Sequence, residues 1–278
     1  MSMQTATRSS NQLGTNGDWP RRLFLHHTPL ALASAVLLVL FMSLPRQAYP
    51  QMSMGPGVFP QAAPQRADEG GQITPDGGQT GPIDQSGGRQ GRVFMARGTT
   101  ATGYLATGIL GLTLLVGPAN LLLRRRTPIS SYLARDVGMW AAIFSVVHVI
   151  LGLTLHRGAQ ISGILNYFFA DGRPLTNSFG LGNWTGLAAL VIVVMLLALS
   201  SDAALRELKA RTWKDLQRLN YTLFALVILH AFFYGALLRM TSPYTLFGVL
   251  TVIAVVVGQA VGIWLWRRRQ SRATATSA

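Results

Sequence analysis

The chain has 278 residues, a mean hydropathy of +0.32, 12% charged residues and a formal net charge of +14. So apolar a chain with so few charges is not an ordinary soluble domain, and its basic residues lie in short runs beside apolar segments, where membrane orientation rather than nucleic-acid binding places them. It contains no cysteine, which excludes disulfides, iron–sulfur clusters and thiol catalysis and leaves redox chemistry to a cofactor held by other ligands.

In chain order, residues 1–28 are polar and aperiodic and are expected to form a disordered cytoplasmic N-terminus. Residues 29–44 form the first expected transmembrane helix. Arg21 and Arg22 precede it and Ala48 follows, as in a signal peptide, but the long leader and the lack of a clean small-x-small cleavage site favour a retained signal anchor. Residues 45–98 include GGQITPDGGQTGPIDQSGGRQG, too poor in apolar side chains to build a core. They are expected to be a flexible external loop, a spacer or else a segment that docks a partner. Five further apolar stretches follow between residues 99 and 266, near Gly103–Leu123, Val137–Leu155, Asn183–Ser200, Leu219–Leu238 and Pro243–Trp266. A bilayer crossing needs roughly 20 apolar residues, so the expected fold is an all-α integral membrane protein with a bundle of six transmembrane helices. Residues 267–278 are a basic tail.

Lysine and arginine set the expected orientation. Arg124, Arg125, Arg126 and Arg135 lie between the second and third spans, and Arg206, Lys209, Arg211, Lys214 and Arg218 between the fourth and fifth. Arg267, Arg268, Arg269 and Arg272 follow the sixth, whereas the short alternate loops, after the third and fifth spans, hold only Arg157, Arg173 and Arg239. The positive-inside rule then makes both termini cytoplasmic, places the chain in the inner or plasma membrane and runs the odd-numbered spans outward.

Of the five histidines, His26 and His27 flank the first span and are expected at the interface. An ionisable side chain within a span is costly unless paired or ligated, so the histidines of the third and fifth spans are functional candidates. His148 lies 13 residues beyond Arg135, and His230 lies 12 beyond Arg218. Both therefore reach roughly 18–20 Å outward from the basic ring, at one depth on parallel helices. Two level imidazoles suit the axial positions of one planar haem. Spacing alone leaves open a pair of histidines that hydrogen-bond neighbouring helices without a cofactor. Zinc is less well served, since no carboxylate or further histidine shares that depth. His156, eight residues beyond His148, belongs near the outer interface and is not expected to ligate.

The stretches RDVGMWAAIFSVVHVILGL and WKDLQRLNYTLFALVILH resemble the third and fifth spans of the ferric-reductase-like transmembrane superfamily, and most of all its MsrQ-type branch, the haem subunit of a bacterial periplasmic methionine sulfoxide reductase system. Arg135, Gly138, Trp140, Phe144 and His148 follow one motif of that branch, and Trp213, Leu216, Tyr221 and His230 follow the other. The stretch RGTTATGYLATGILGLTLLVGPANLLLRRR is similar to its second span. The resemblance covers about residues 97–266 and implies haem b ligated by His148 and His230. It departs at Gln217, where the family carries histidine, and at Ala134, where two-haem relatives place the partner ligand. An amide is a poor iron ligand, so one haem per chain is expected. The family also suggests FMN near Arg124–Arg126, although topology alone accounts for those arginines.

The chain carries no dinucleotide fingerprint and no segment for a flavin–nicotinamide domain, so it is not expected to take hydride from a nicotinamide by itself. The expected function is that of a b-type cytochrome, an electron-transfer subunit rather than a self-contained enzyme. A quinol or a cytoplasmic flavin reductase would be the donor, and a periplasmic or extracellular oxidoreductase the acceptor. By resemblance, that acceptor is a molybdopterin methionine sulfoxide reductase. Its other partner is the lipid bilayer, and no nucleic-acid role is expected. The competing readings are a haem-free membrane scaffold or transporter, and a stand-alone ferric or metal reductase.

Overall fold

A computed structural model describes residues 23–44, 85–123, 129–157, 161–201, 204, 207–208, 210–238 and 240–276. A five-residue π-helical turn, Leu23–His27, leads into α1 (Thr28–Ser43). There follow α2 (Gln85–Leu122), α3 (Ile129–Arg157), the short α4 (Ile161–Leu165), β1 (Phe169–Ala170) and β2 (Arg173–Pro174). The chain continues through α5 (Ser178–Leu199), α6 (Ala210–Gln217), α7 (Leu219–Phe233) and α8 (Pro243–Thr276). Six helices are long and apolar enough to cross a membrane, over Phe24–Ser43, Val93–Leu122, Leu133–Leu155, Ser178–Leu199, Asp215–Phe233 and Pro243–Arg272. The protein is an all-α multi-pass membrane protein. Among the described residues the strands are confined to one antiparallel hairpin, pairing Phe169 with Pro174 and Ala170 with Arg173. Asp171 and Gly172 turn it with φ of 49° and 73°, the two positive values that an Asp-Gly turn accommodates.

Two boundaries differ from the sequence expectation. α2 starts at Gln85, inside the stretch read as a loop, and α8 runs to Thr276, well past Trp266. Once an apolar span has nucleated a helix, each added residue gains a hydrogen bond, so polar flanks such as GGRQGR extend it. The remainder of that stretch, 45–84, lies outside the described residues.

α2 packs between α3 and α8, and α5 packs on α7. Small side chains make the close approach: Ala101 is fully buried, and Ala141 and Ala142 are nearly so. Without a hydrophobic driving force in lipid, such small-residue contacts are what hold helices together. The outward faces carry Val36, Val191, Val194, Ile253 and Val256, each more than half exposed, which is a lipid-facing surface.

Polar cross-links repair the backbone where the helices break their own ladders. Pro118 lies inside α2 and removes the N–H that would bond the Leu114 carbonyl. Gln259 of α8 donates its Nε2 to that carbonyl at 2.7 Å, while its Oε1 accepts from the Tyr221 hydroxyl at 3.2 Å. Gln259→Leu is therefore expected to destabilise the bundle by about 1–3 kcal/mol, the cost of an unsatisfied buried acceptor. Thermal unfolding in detergent measures this, and an unchanged midpoint would mean that another donor reaches Leu114.

α7 ends in a Schellman motif one turn beyond His230. Gly235 has φ of 68°, the Gly235 N–H bonds the Phe232 carbonyl at 2.8 Å, and the Ala236 N–H bonds the Ala231 carbonyl at 2.9 Å. The Ala236 carbonyl then accepts from Tyr104 of α2 at 2.9 Å and from Thr245 of α8 at 2.7 Å. The end of the histidine-bearing helix is thus tied to both neighbours.

Candidate functional site

The structure brings His148 of α3 and His230 of α7 together, with ring centroids 6.1 Å apart and ring planes at 86°. Each ring is held by a carbonyl from a third and a fourth helix. His148 Nδ1 lies 2.7 Å from the Thr99 carbonyl of α2, and His230 Nδ1 lies 2.8 Å from the Gly182 carbonyl of α5. A carbonyl only accepts, so each Nδ1 carries the proton and donates it, and each Nε2 keeps its lone pair for a ligand.

Two glycines make room for the rings. A Cβ on Gly103 would stand 2.9 Å from Cε1 and Nδ1 of His148, and one on Gly186 would stand 2.7 Å from Nδ1 of His230. A metal bound at about 2 Å by an imidazole Nε2 lies about 3 Å from that ring's centroid, so trans ligands separate their centroids by about 6 Å. The observed spacing, the oriented Nδ1–H groups and the glycine cradle fit a pair of imidazoles, His148 and His230, that would hold one metal-bearing cofactor between them. Among the described residues, no group of three or more His, Asp or Glu side chains could hold a metal ion by itself.

Toward the C-terminal end of α7, the Tyr234 ring lies 5.0 Å from that of His230, and its hydroxyl donates to Asn183 Oδ1 at 2.5 Å. Asn183 Nδ2 donates to the Tyr167 carbonyl at 3.0 Å, and the Tyr167 hydroxyl donates to the Gly152 carbonyl at 3.2 Å. Burial pushes the Tyr167 phenol above its ordinary pKa, so it remains a donor. His156 lies in the last turn of α3, eight residues beyond His148.

At the opposite end, Gln217 closes α6, and both its Oε1 and its backbone carbonyl accept from Asn220 Nδ2, at 3.2 and 3.1 Å. Its amide oxygen is satisfied by a neighbour on its own segment. Arg124–Arg126, considered for FMN, lie outside the described residues.

Sequence reasoning missed Asp136. It is fully buried, and His26 and His27 gather around it instead of standing alone in polar surroundings. His26 Nδ1 is 2.7 Å from Asp136 Oδ2, and His27 Nε2 is 3.6 Å from Oδ1. Trp140, one turn further along α3, donates its indole N–H to His27 Nδ1 at 3.3 Å. The signal in the sequence was a carboxylate within a span, a placement that demands a partner.

The family model of the ferric reductase like transmembrane component matches residues 102–229. It takes in His148 and stops one residue short of His230. The "Protein-methionine-sulfoxide reductase heme-binding subunit MsrQ" of Bordetella pertussis is 30% identical to this chain over 173 residues, which are 62% of the chain and 76% of that relative. The chain belongs to the MsrQ-type family of ferric-reductase-like transmembrane proteins. The MsrQ of Ralstonia nicotianae is 29% identical over 182 residues, 65% of the chain and 76% of that relative. A magnetosome protein, MamZ of Magnetospirillum gryphiswaldense, is 27% identical over 134 residues but is matched over only 17% of its own length. The family match thus takes in His148 and Gly182 but neither Thr99 nor His230.

Proposed function

We propose that the protein is a membrane b-type cytochrome that relays electrons outward through one haem held by His148 and His230. The observation that carries this reading is the facing imidazole pair, 6.1 Å between centroids with both Nδ1 atoms engaged. The MsrQ relatives, named as heme-binding subunits, support the choice of cofactor. Bound there, the haem supplies a one-electron carrier. The protein's own groups do the rest: Thr99 and Gly182 fix the imidazoles in the ligating tautomer, and the apolar helices around them exclude water.

The basic loops support an arrangement with both termini cytoplasmic in an inner or plasma membrane. In that arrangement a quinol or a cytoplasmic flavin reductase delivers electrons, and a periplasmic or extracellular oxidoreductase of the methionine sulfoxide reductase class removes them. Ala134 and Gln217 supply no second ligand pair, and topology alone accounts for Arg124–Arg126, where the resemblance suggests FMN.

The test is stoichiometry. Pyridine haemochrome titration of the purified protein is expected to give close to one haem b per chain, and Gln217→Ala is expected to leave that value unchanged. A value near two, or a loss on Gln217→Ala, would refute the single-haem reading. Absence of a Soret band would remove the electron relay altogether.

A further inference from the structure

The two imidazoles and their carbonyls leave a buried cation of α2 unexplained. Arg97 lies inside the apolar stretch Val93–Leu122, where a charged side chain is costly unless it is paired. It is partly buried, and its Nε is shut off from solvent with no hydrogen-bond partner. An arginine near the end of a span ordinarily lays its stem along apolar surface and carries its whole head to water. Arg97 does not. A guanidinium keeps its proton in proteins, so burying it calls for an anion. Among the described residues no carboxylate pairs with it: Asp136 faces His26 and His27, and Asp215 faces Arg218.

Its place on α2 brings it to the level of the histidine pair. Residues four apart share a helix face, and Arg97 begins the row that continues through Ala101 and Leu105, which are 0% and 1% exposed. It therefore stands on the side of α2 turned into the bundle. Tyr104, seven residues further on that side, donates to the Ala236 carbonyl, just past the end of the helix that bears His230. Thr99, two residues on and about 3 Å along the axis, presents the carbonyl that accepts from His148 Nδ1. Gly103, six residues on, is where a Cβ would meet the His148 ring. The unpaired guanidinium thus lies at the end of the bundle where α2 begins and α7 stops, beside the segment of α2 that contacts both ligand-bearing helices.

Haem b is an apolar plate with two propionate carboxylates on one edge. Among apolar helices those carboxylates need a cation as much as Arg97 needs an anion, and the planar fork of a guanidinium matches a carboxylate with two parallel hydrogen bonds. We propose that Arg97 binds a propionate carboxylate of the haem and so fixes which edge of the cofactor lies toward the start of α2. This rests on the haem of the relay reading and adds to it a contact with the cofactor's side chain rather than its iron. In the orientation proposed above, that edge is the outer one, on the side of the electron acceptor. A phospholipid phosphate is the other oxyanion that a span offers to such a guanidinium, and the test separates the two.

The probes are haem b and its dimethyl ester, in which both propionates are uncharged, each loaded into the full-length protein in detergent. The readout is the rate at which the cofactor passes to excess apomyoglobin, followed in the Soret band. Arg97→Leu is expected to release haem b at least tenfold faster than the unaltered protein, with Arg97→Lys, which keeps the charge but not the fork, between them. The ester is expected to leave all three at rates within about twofold of one another. Leucine suits a span better than arginine does, so the cofactor-free Arg97→Leu protein is expected to unfold at the same temperature as the unaltered one or a higher one. Release of haem b that is no faster from Arg97→Leu overturns the proposal and leaves the relay standing. A tenfold effect that persists with the ester also overturns it, because the anion is then a lipid phosphate or the role is in the fold. A protein that takes up neither cofactor overturns the relay reading and the proposal together.

Discussion

Alanine in place of either His148 or His230 is expected to abolish the low-spin b-type spectrum, whereas His156→Ala leaves it intact. The expectation follows from how each imidazole is built in. The two rings face one another at 6.1 Å between centroids, each with Nδ1 on a backbone carbonyl and Nε2 left as the donor. Neither can substitute for the other, and no third histidine is level with them: His156 lies eight residues further along α3, about 12 Å along the helix axis. The substitutions should spare the fold. Thr99 and Gly182 lie within α2 and α5, so their carbonyls keep intrahelical partners when the imidazole is gone, and alanine is the strongest helix former. Helical content by circular dichroism should therefore hold while absorbance is lost. A haem spectrum that survives both single substitutions would refute the ligand assignment, and one that survives only one of them would mean an alternative sixth ligand.

The part of this site that was legible from the sequence is the part that depends on distance along one helix. Counting from Arg135 to His148 and from Arg218 to His230 placed both imidazoles at one depth, because rise per residue is fixed and both spans begin at basic residues. Partners across helices were not legible. Asp136 meets His26 across 110 residues, and nothing in the RDVG string says that its carboxylate turns inward to an imidazole pair. The π-turn that points both histidines at it is likewise not a composition effect. Gln259 looks like a stray amide in an apolar run until Pro118 is seen to free the Leu114 carbonyl 145 residues away. The extent of α2 was misjudged for another reason: glycine-rich, polar residues 85–98 are poor helix formers alone, yet they continue a helix that the apolar span has already nucleated. The helical spans were therefore readable from hydropathy, while the cross-helix polar contacts required the packed bundle.

The glycines beside the histidines support the second large effect. Gly103→Ala and Gly186→Ala are each expected to cost most of the bound haem without unfolding the protein. On propensity alone both changes favour the helix, by about 1 kcal/mol per residue. Each new Cβ, however, would stand within 3.0 Å of an imidazole: 2.9 Å from Cε1 and Nδ1 of His148, and 2.7 and 2.9 Å from Nδ1 and Cε1 of His230. The rings cannot simply swing aside, because the atom under pressure in each case is the Nδ1 that donates to Thr99 or Gly182 at 2.7 or 2.8 Å. Relief requires breaking that hydrogen bond, which releases the tautomer and turns Nε2 away from the shared axis, so one methyl group disturbs both the orientation and the donor. Gly117, also on α2, has open space where its Cβ would go, so Gly117→Ala is the matched control. It should retain the haem and unfold at the same temperature or a higher one. Haem content per chain, measured beside circular dichroism for the three variants, separates the cases. Full haem retention in Gly103→Ala and Gly186→Ala would show that the rings relax without losing their alignment and that the glycines serve only helix packing.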